Sequence, residues 1–228
     1  MWEKMSSIWY LGHSGFEIEL GGTMIYIDLF LDNTGRRMPR DIKSPIKAED
    51  IDRADIIFIT HEHADHFEKD TVEKIVGKTG ALVIAPHCVL KDLDIASGNK
   101  MEAVVGDVFV VKGVEVKVVK AVHPQSTCPV GYIIKKGGKS IYHAGDTYEF
   151  GEMFDIKVDY ALIPVGGTYT MDTYSAFKAA KELNCRYIIP MHYNTFERVR
   201  QNMSEFAREV ESNKVKPIVM KVGQRINI

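Results

Sequence analysis

Short apolar runs, alternating or nearly continuous, recur along the chain. "SSIWYL", "SGFEIEL" and "TMIYID" each read as a strand, and Gly21-Gly22 marks a hairpin turn between the last two. "DIIFIT", residues 55–60, is apolar almost throughout, as expected of a strand buried on both faces, and "GALVIAP" repeats the pattern. "DVFVVKG" and "VEVKVVKAV" predict a hairpin around Gly113, and "GYIIKKGGKSIYHAG" another around Gly137-Gly138. Three stretches change to helical spacing. Asp70-Thr71-Val72-Glu73 has the form of a capping box, followed by Val72, Ile75 and Val76 on one face. "MDTYSAFKAAKELN" places Ala176, Phe177, Ala180 and Leu183 on one face, with Asn184 suited to its end. "NMSEFAREVESN" offers Asn202 or Ser204 as cap and Phe206 with Val210 as an apolar stripe. Strands with helices between them, plus hairpins, predict an α/β fold of mixed sheets packed by helices. Residues 29–52 have no clear period and lie between two strands, so they read as a functional loop. No proline- or serine-rich linker divides the chain, and residues 1–228 are expected to form one domain.

Composition narrows the partners more than the fold. Lys+Arg number 29 against Asp+Glu 31, a net charge of −2. That balance gives no electrostatic reason for a nucleic-acid or anionic-membrane partner. No window approaches the roughly 18 apolar residues of a membrane span. "MWEKMSSIWYLGHSG" carries no leader-like apolar stretch, so a cytoplasmic location is expected. The three cysteines, Cys88, Cys128 and Cys185, are odd in number and widely spaced, and each is expected to be a small buried apolar residue outside any disulfide.

The chemistry concentrates in "THEHADH". His61, Glu62, His63, Asp65 and His66 follow a strand at its carboxyl end, where sheets covered by helices bind ligands. Neutral imidazole and carboxylate suit zinc, manganese and iron. In a non-helical loop, His61 and His63 can converge on one ion while Asp65 and His66 point to a neighbouring position. Further groups follow other predicted strands: His123 after "VEVKVVKAV", Asp146 in "HAGDT" and His192 after "RYIIPM". Cys128 lies near His123, but no third group can be named to orient a cysteine–histidine pair.

"THEHADH", the later lone His123, "GDT" and the late His192 together resemble the metallo-β-lactamase superfamily across nearly the whole chain. "WYLGHSGFEIE", "IPVGGTYTMD" and "PMHYNTF" are similar to a bacterial and archaeal family of metal-dependent hydrolases related to the L-ascorbate-6-phosphate lactonases and, more distantly, to N-acyl-phosphatidylethanolamine phospholipase D. The resemblance implies a four-layer αββα sandwich. It implies two divalent metal ions per chain, one held by His61, His63 and His123, the other by Asp65, His66 and His192, with Asp146 bridging. Zinc is placed first, with manganese and iron as alternatives. Glu62 falls at a variable position of the motif and is expected to be no ligand. The chain departs from many members at "AVHPQSTC", where they carry Pro-Gly-His-Thr, which argues against the glyoxalase-II-like and classical lactamase branches.

Around this set, His13 in "LGHSG" is placed beside the pocket by the same resemblance, as an outer ligand or substrate donor or as a structural residue. Asp28, at the end of "TMIYID", is a candidate to receive the second N–H of a ligating histidine. His143 is either such a partner or a packing residue. Thr168, Tyr169 and Thr170, in "GGTYTMD" before a helix, could present hydroxyls and backbone N–H groups to a substrate oxyanion. The resulting expectation is a hydrolase in which a metal-bound hydroxide attacks an ester or lactone of a small molecule, with Asp65 or Asp146 as the acid–base group. A phosphodiesterase with the same two ions is the alternative, and a metal-binding or sensing protein without catalysis a more distant one. Self-association is left open.

Overall fold

A computed structural model describes residues 6–31, 40–211 and 215–228. Residues 32–39, one third of the 29–52 loop, therefore lie outside the described residues, as do residues 1–5 and 212–214. Two seven-stranded mixed sheets face each other. The first runs β14-β1-β2-β3-β4-β5-β6 and the second β13-β12-β11-β10-β9-β8-β7. In the first sheet, β1 (Ser7–Gly12), β2 (Gly15–Leu20) and β3 (Thr23–Ile27) are antiparallel, with β2 and β3 joined by the predicted hairpin at Gly21-Gly22; β4 (Ile56–Phe58), β5 (Leu82–Ala85) and β6 (Lys100–Glu102) follow in parallel, and β14 (Arg225–Asn227) returns beside β1. In the second, β7 (Val108–Val111), β8 (Val114–Lys120), β9 (Val130–Lys136) and β10 (Lys139–His143) are antiparallel, while β11 (Lys157–Pro164), β12 (Asn184–Met191) and β13 (Lys216–Pro217) continue in parallel.

The apolar run at 55–60 shows why the layers stack. Ile56 and Phe58 point into the core shared by the two sheets, while Ile57 and Ile59 point to a second core. That second core is completed by Val72, Ile75 and Val76 of α1 (Lys69–Thr79) and by Cys88 and Val89 of α2 (His87–Leu90). On the far side, Ala176, Ala179 and Ala180 of α3 (Thr173–Glu182) and Phe206 and Val210 of α4 (Met203–Glu211) cover the second sheet. The order is helices, sheet, sheet, helices. Tyr132 ties the middle layers: its ring lies 4.7 Å from that of Phe58 and its hydroxyl donates to the Ile59 carbonyl at 2.8 Å. Among the described residues, no helix is long and apolar enough to cross a membrane.

Three local expectations are corrected. The Asp70–Glu73 capping box does not form: α1 starts at Lys69, and Glu68 ahead of it accepts from the Thr71 hydroxyl and the Leu31 amide at 2.9 Å each. Asn184 opens β12 rather than closing α3, whose start is capped by Asp172 accepting the Ser175 amide. Cys88 and Cys128 are joined in a disulfide across 40 residues of sequence, with 6.4 Å between their Cα atoms. A pairing made by the meeting of α2 with the loop after β8 leaves no trace in cysteine spacing.

Candidate metal centre

Seven candidate ligands leave four strand ends along the rim where the two sheets meet. His61, His63, Asp65 and His66 follow β4; His123 follows β8, Asp146 follows β10 and His192 follows β12. Close approach of the loops requires glycine at two places. A Cβ on Gly145 would lie 2.9 Å from both Thr60 Cβ and the Val130 carbonyl oxygen, and one on Gly166 would lie 3.0 Å from the His192 ring. His13, Asp28 and His192 all have φ near +50° to +60°, a left-handed conformation uncommon outside glycine and typical of constrained functional positions.

One atom each of His61, His63 and His123 lies within 4.8 Å of the others, and the same holds for His13, Asp65, His66 and His192, and for His61, His66 and Asp146. Asp146 stands between the two halves. Its Oδ2 is 3.1 Å from His192 Nε2 and 3.9 Å from His123 Nε2, and its Oδ1 is 3.3 Å from His66 Nε2. The outer hydrogen bonds fix which nitrogen faces inward. His66 Nδ1 donates to Asp28 at 2.8 Å. Asp28 also accepts the Thr60 amide at 2.8 Å and the Thr60 hydroxyl at 2.7 Å, so that hydroxyl is left to accept from His61 Nδ1 at 3.0 Å. His63 Nε2 donates to the Gln125 carbonyl at 3.1 Å, leaving Nδ1 as its acceptor, 3.2 Å from His123 Nε2. Among the polar atoms buried without a hydrogen-bond partner are His61 Nε2, His66 Nε2, His192 Nε2 and Asp146 Oδ1. Buried nitrogen and carboxylate atoms left without partners, three of the histidines held by outer hydrogen bonds, are what divalent cations require of a His/Asp donor set, so these residues fit the ions.

The electrostatics agree. Burial opposes a charge on His66, but the Asp146 and Asp28 carboxylates outweigh it and raise the ring well above the usual imidazole range. Burial likewise opposes His192, which Asp146 and Asp65 nonetheless lift to about 9. Asp146 is held well below the usual carboxylate range, against burial, chiefly by His192 and His66. His61, with burial dominant, and His123, for the same reason, stay neutral more readily than free imidazole. The carboxylates thus hold positive charge on His66 and His192, protons that a bound cation would displace, while His61 and His123 favour the neutral form that ligates.

The remaining candidates take distinct places. His13 donates Nε2–H to Asp65 at 3.0 Å and accepts the Thr195 hydroxyl on Nδ1 at 2.5 Å; burial and His192 lower its pKa to about 3. Its carbonyl receives the His192 amide at 2.7 Å. Asp28 is the outer partner of His66 and, through Thr60, of His61. His143 faces elsewhere: Nε2 donates to the Ser14 carbonyl at 2.9 Å and Nδ1 accepts the Gly145 amide, joining the sheets just before Asp146. Thr168 and Thr170 donate their hydroxyls to the Arg198 and Met171 carbonyls, and the exposed Tyr169 accepts from Arg198. This segment is packed against the centre instead: the Met171 amide donates to Thr147, next to Asp146. Sequence reasoning missed Thr60, Thr195 and the Gln125 carbonyl. Only Thr60, adjacent to His61 in "ITHEH", carried a positional signal.

A model of the β-lactamase superfamily domain matches residues 7–192, a span that contains every candidate ligand. A metal-dependent hydrolase of Caldivirga maquilingensis is 36% identical over 98% of this chain and 99% of its own. A metallo hydrolase from the hyperthermophilic archaeon Ignicoccus hospitalis is similar in structure, with a TM-score of 0.81 and 31% identity over 99% of each chain. A diiron β-hydroxylase from Streptomyces venezuelae, 15% identical over 98% of this chain and 54% of that one, shares the fold alone, with a TM-score of 0.72.

Proposed function

The chain belongs to the metallo-β-lactamase superfamily and is a metal-dependent hydrolase, and from that premise we propose that it hydrolyses a carboxylic ester or lactone of a small organic molecule at a two-ion centre. His61, His63 and His123 would hold one ion and Asp65, His66 and His192 the other, with Asp146 facing both sets. Zinc is the first choice, with manganese and iron as alternatives. Bound there, the ions supply a water of lowered pKa and a Lewis acid for the substrate oxygen. The observation that carries this reading is the position of Asp146, whose Oδ2 lies 3.1 Å from His192 of one set and 3.9 Å from His123 of the other.

The chain's own groups have separable tasks. Asp146, buried and ionised, orients the attacking water. Asp65 is about one-third exposed at the rim. Burial opposes its charge, yet His13 and His192 keep it ionised, and its place at the rim suits it to relay the water's proton toward the leaving alcohol. His13 fixes the Asp65 carboxylate in place. Phe196, half-buried, and Phe30 stand 5.2 and 5.8 Å from the His13 ring. The near-neutral charge of the chain favours an organic acyl group over a polyanion. No side chain is required as a nucleophile, so no covalent acyl-enzyme is expected.

A substrate panel tests the proposal: lactones, aryl esters, thioesters, phosphodiesters and a β-lactam, with the metal-loaded protein and Asp146→Ala as the blank. Turnover of lactones or esters is expected, abolished by a chelator and reduced at least about 100-fold by Asp146→Ala while the variant stays folded. Turnover of phosphodiesters alone would overturn the ester reading, and an unchanged Asp146→Ala would remove Asp146 from the chemistry.

A further inference from the structure

The loop after β8 does three things at once. It carries His123, its Gln125 carbonyl fixes the His63 ring, and its Cys128 is bonded to Cys88 in α2. Glu62, between His61 and His63, ties the two ligand-bearing loops together. Its Oε1 accepts the Thr127 amide at 2.9 Å and hydroxyl at 3.0 Å, and its Oε2 accepts the Ser126 hydroxyl at 2.7 Å. Cys88 Sγ lies 3.4 Å from that same Oε2. The Ser126 amide in turn donates to the His123 carbonyl at 3.0 Å. The disulfide thus anchors to α2 a loop that supplies one candidate ligand and orients another.

We propose that Cys88 and Cys128 form a thiol–disulfide switch that sets the metal affinity of the His61–His63–His123 half of the centre. The inference rests on the reading that this half binds a metal ion. Cys88 is almost fully buried and Cys128 half-buried, so a dithiol reductant reaches Cys128. Its thiolate attacks Cys128 Sγ; a mixed disulfide forms, the Cys88–Cys128 bond breaks, and Cys88 leaves as a thiolate that takes a proton. The reductant's second thiol then displaces Cys128, which is protonated in turn. Two electrons and two protons pass to the cysteine pair, and the dithiol becomes a disulfide. The covalent anchor is gone, and Cys88 gains an S–H whose neighbouring acceptor is Glu62 Oε2, where Ser126 already donates. His123 and Gln125 are then held by hydrogen bonds alone. The Asp65–His66–His192 half is positioned by Asp28 and His13 and keeps its affinity. In the cytoplasm, where reductants keep thiols open, the pair would rest in its weak-binding state.

The experiment compares oxidised protein, protein reduced with a phosphine and desalted without oxygen, and the Cys88→Ser/Cys128→Ser variant. Each is titrated with zinc against a chromophoric chelator, its thiols counted after denaturation and its fold checked by circular dichroism. The oxidised chain should show one thiol, that of Cys185, and the reduced chain three. One of two zinc-binding steps should weaken about 10–100-fold on reduction, the usual cost of losing a partner that orients a ligand, while the other stays unchanged. The double variant should match the reduced protein and ignore the phosphine; if it misfolds, the oxidised and reduced wild type decide. Equal affinities in both redox states, or three thiols in the oxidised protein, would overturn the switch. A third zinc bound on reduction would overturn it too, making Cys88, Cys128 and Glu62 ligands themselves. Absence of zinc in every state would remove the centre and the switch together, and is distinguishable from zinc that binds alike in both.

Discussion

Asp28→Asn isolates the outer hydrogen-bond layer from the ligands themselves. Asparagine keeps the size of the side chain and tolerates the left-handed φ of +49° at this position. The carboxylate, however, accepts three bonds of 2.7–2.8 Å, from the Thr60 amide, the Thr60 hydroxyl and His66 Nδ1. In the variant the amide oxygen stays with the Thr60 N–H, and the NH₂ group must face Thr60 Oγ1 and His66 Nδ1. It donates to His66 Nδ1, which drives the ring proton to Nε2, the atom that faces Asp146 at 3.3 Å. A nitrogen carrying a proton cannot ligate. The loss on the His66 side should reach about 100-fold in metal affinity, or about 2.7 kcal/mol at about 1.36 kcal/mol per decade. On the His61 side, where Thr60 relays the effect, about 10-fold is expected. Metal-free stability should also fall by about 1.5–3 kcal/mol, the scale of one hydrogen bond to a charged group. Chelator competition gives the two affinities, and urea unfolding of metal-free protein gives the stability. A folded Asp28→Asn protein whose affinities lie within twofold of wild type would refute the claim that Asp28 sets the His66 tautomer.

Two further outcomes follow from titratable groups. Burial pushes the Glu62 carboxyl up, but its bonds from Ser126 and Thr127 outweigh this and hold it at about 2, below its ordinary 4.5. Those bonds therefore stabilise the fold fully above pH 4.5 and are lost as pH falls toward 2, so the gap in urea midpoint between metal-free wild type and Glu62→Gln should be level from pH 7 to pH 5 and close by pH 2; a gap constant to pH 2 would contradict the assignment. Burial also pushes the Cys185 thiol up to about 12, so at pH 8 iodoacetamide should label it over about 100-fold more slowly in the folded oxidised protein than in the unfolded one, and equal rates would contradict its burial.

The strands were legible because their side-chain period survives in the fold. The run at 56–59 looked uniformly apolar because Ile56 and Phe58 serve one core and Ile57 and Ile59 the other. The helical cap at Asn202 was legible too, and its Oδ1 does accept the Glu205 amide at 3.3 Å. The Asp70–Glu73 box matched the same kind of pattern and failed, because the Phe67 amide bonds to the His63 carbonyl and the motif loop delivers the chain into the helix at Lys69. At the centre, histidines and aspartates after strands stood out because each follows an apolar run. What could not be read were pairings created by sheet order: Thr127 on Glu62 at 65 residues' separation, Thr195 on His13 at 182, Cys88 on Cys128 at 40. Neither member of such a pair looks unusual alone.

The rim on which the ligands converge has a consequence for how the molecule comes into being. As the chain emerges, the segment through β6 holds His61, His63, Asp65 and His66 but lacks the other three. His123, Asp146 and His192 arrive later, each on a different strand of the opposite sheet. Each of the three histidine–aspartate groups takes one member from the second sheet: His192, His123 or Asp146. The candidate ligands therefore come together only once the two sheets have docked in register, and the first sheet itself is completed last, when β14 at the far end of the chain pairs with β1.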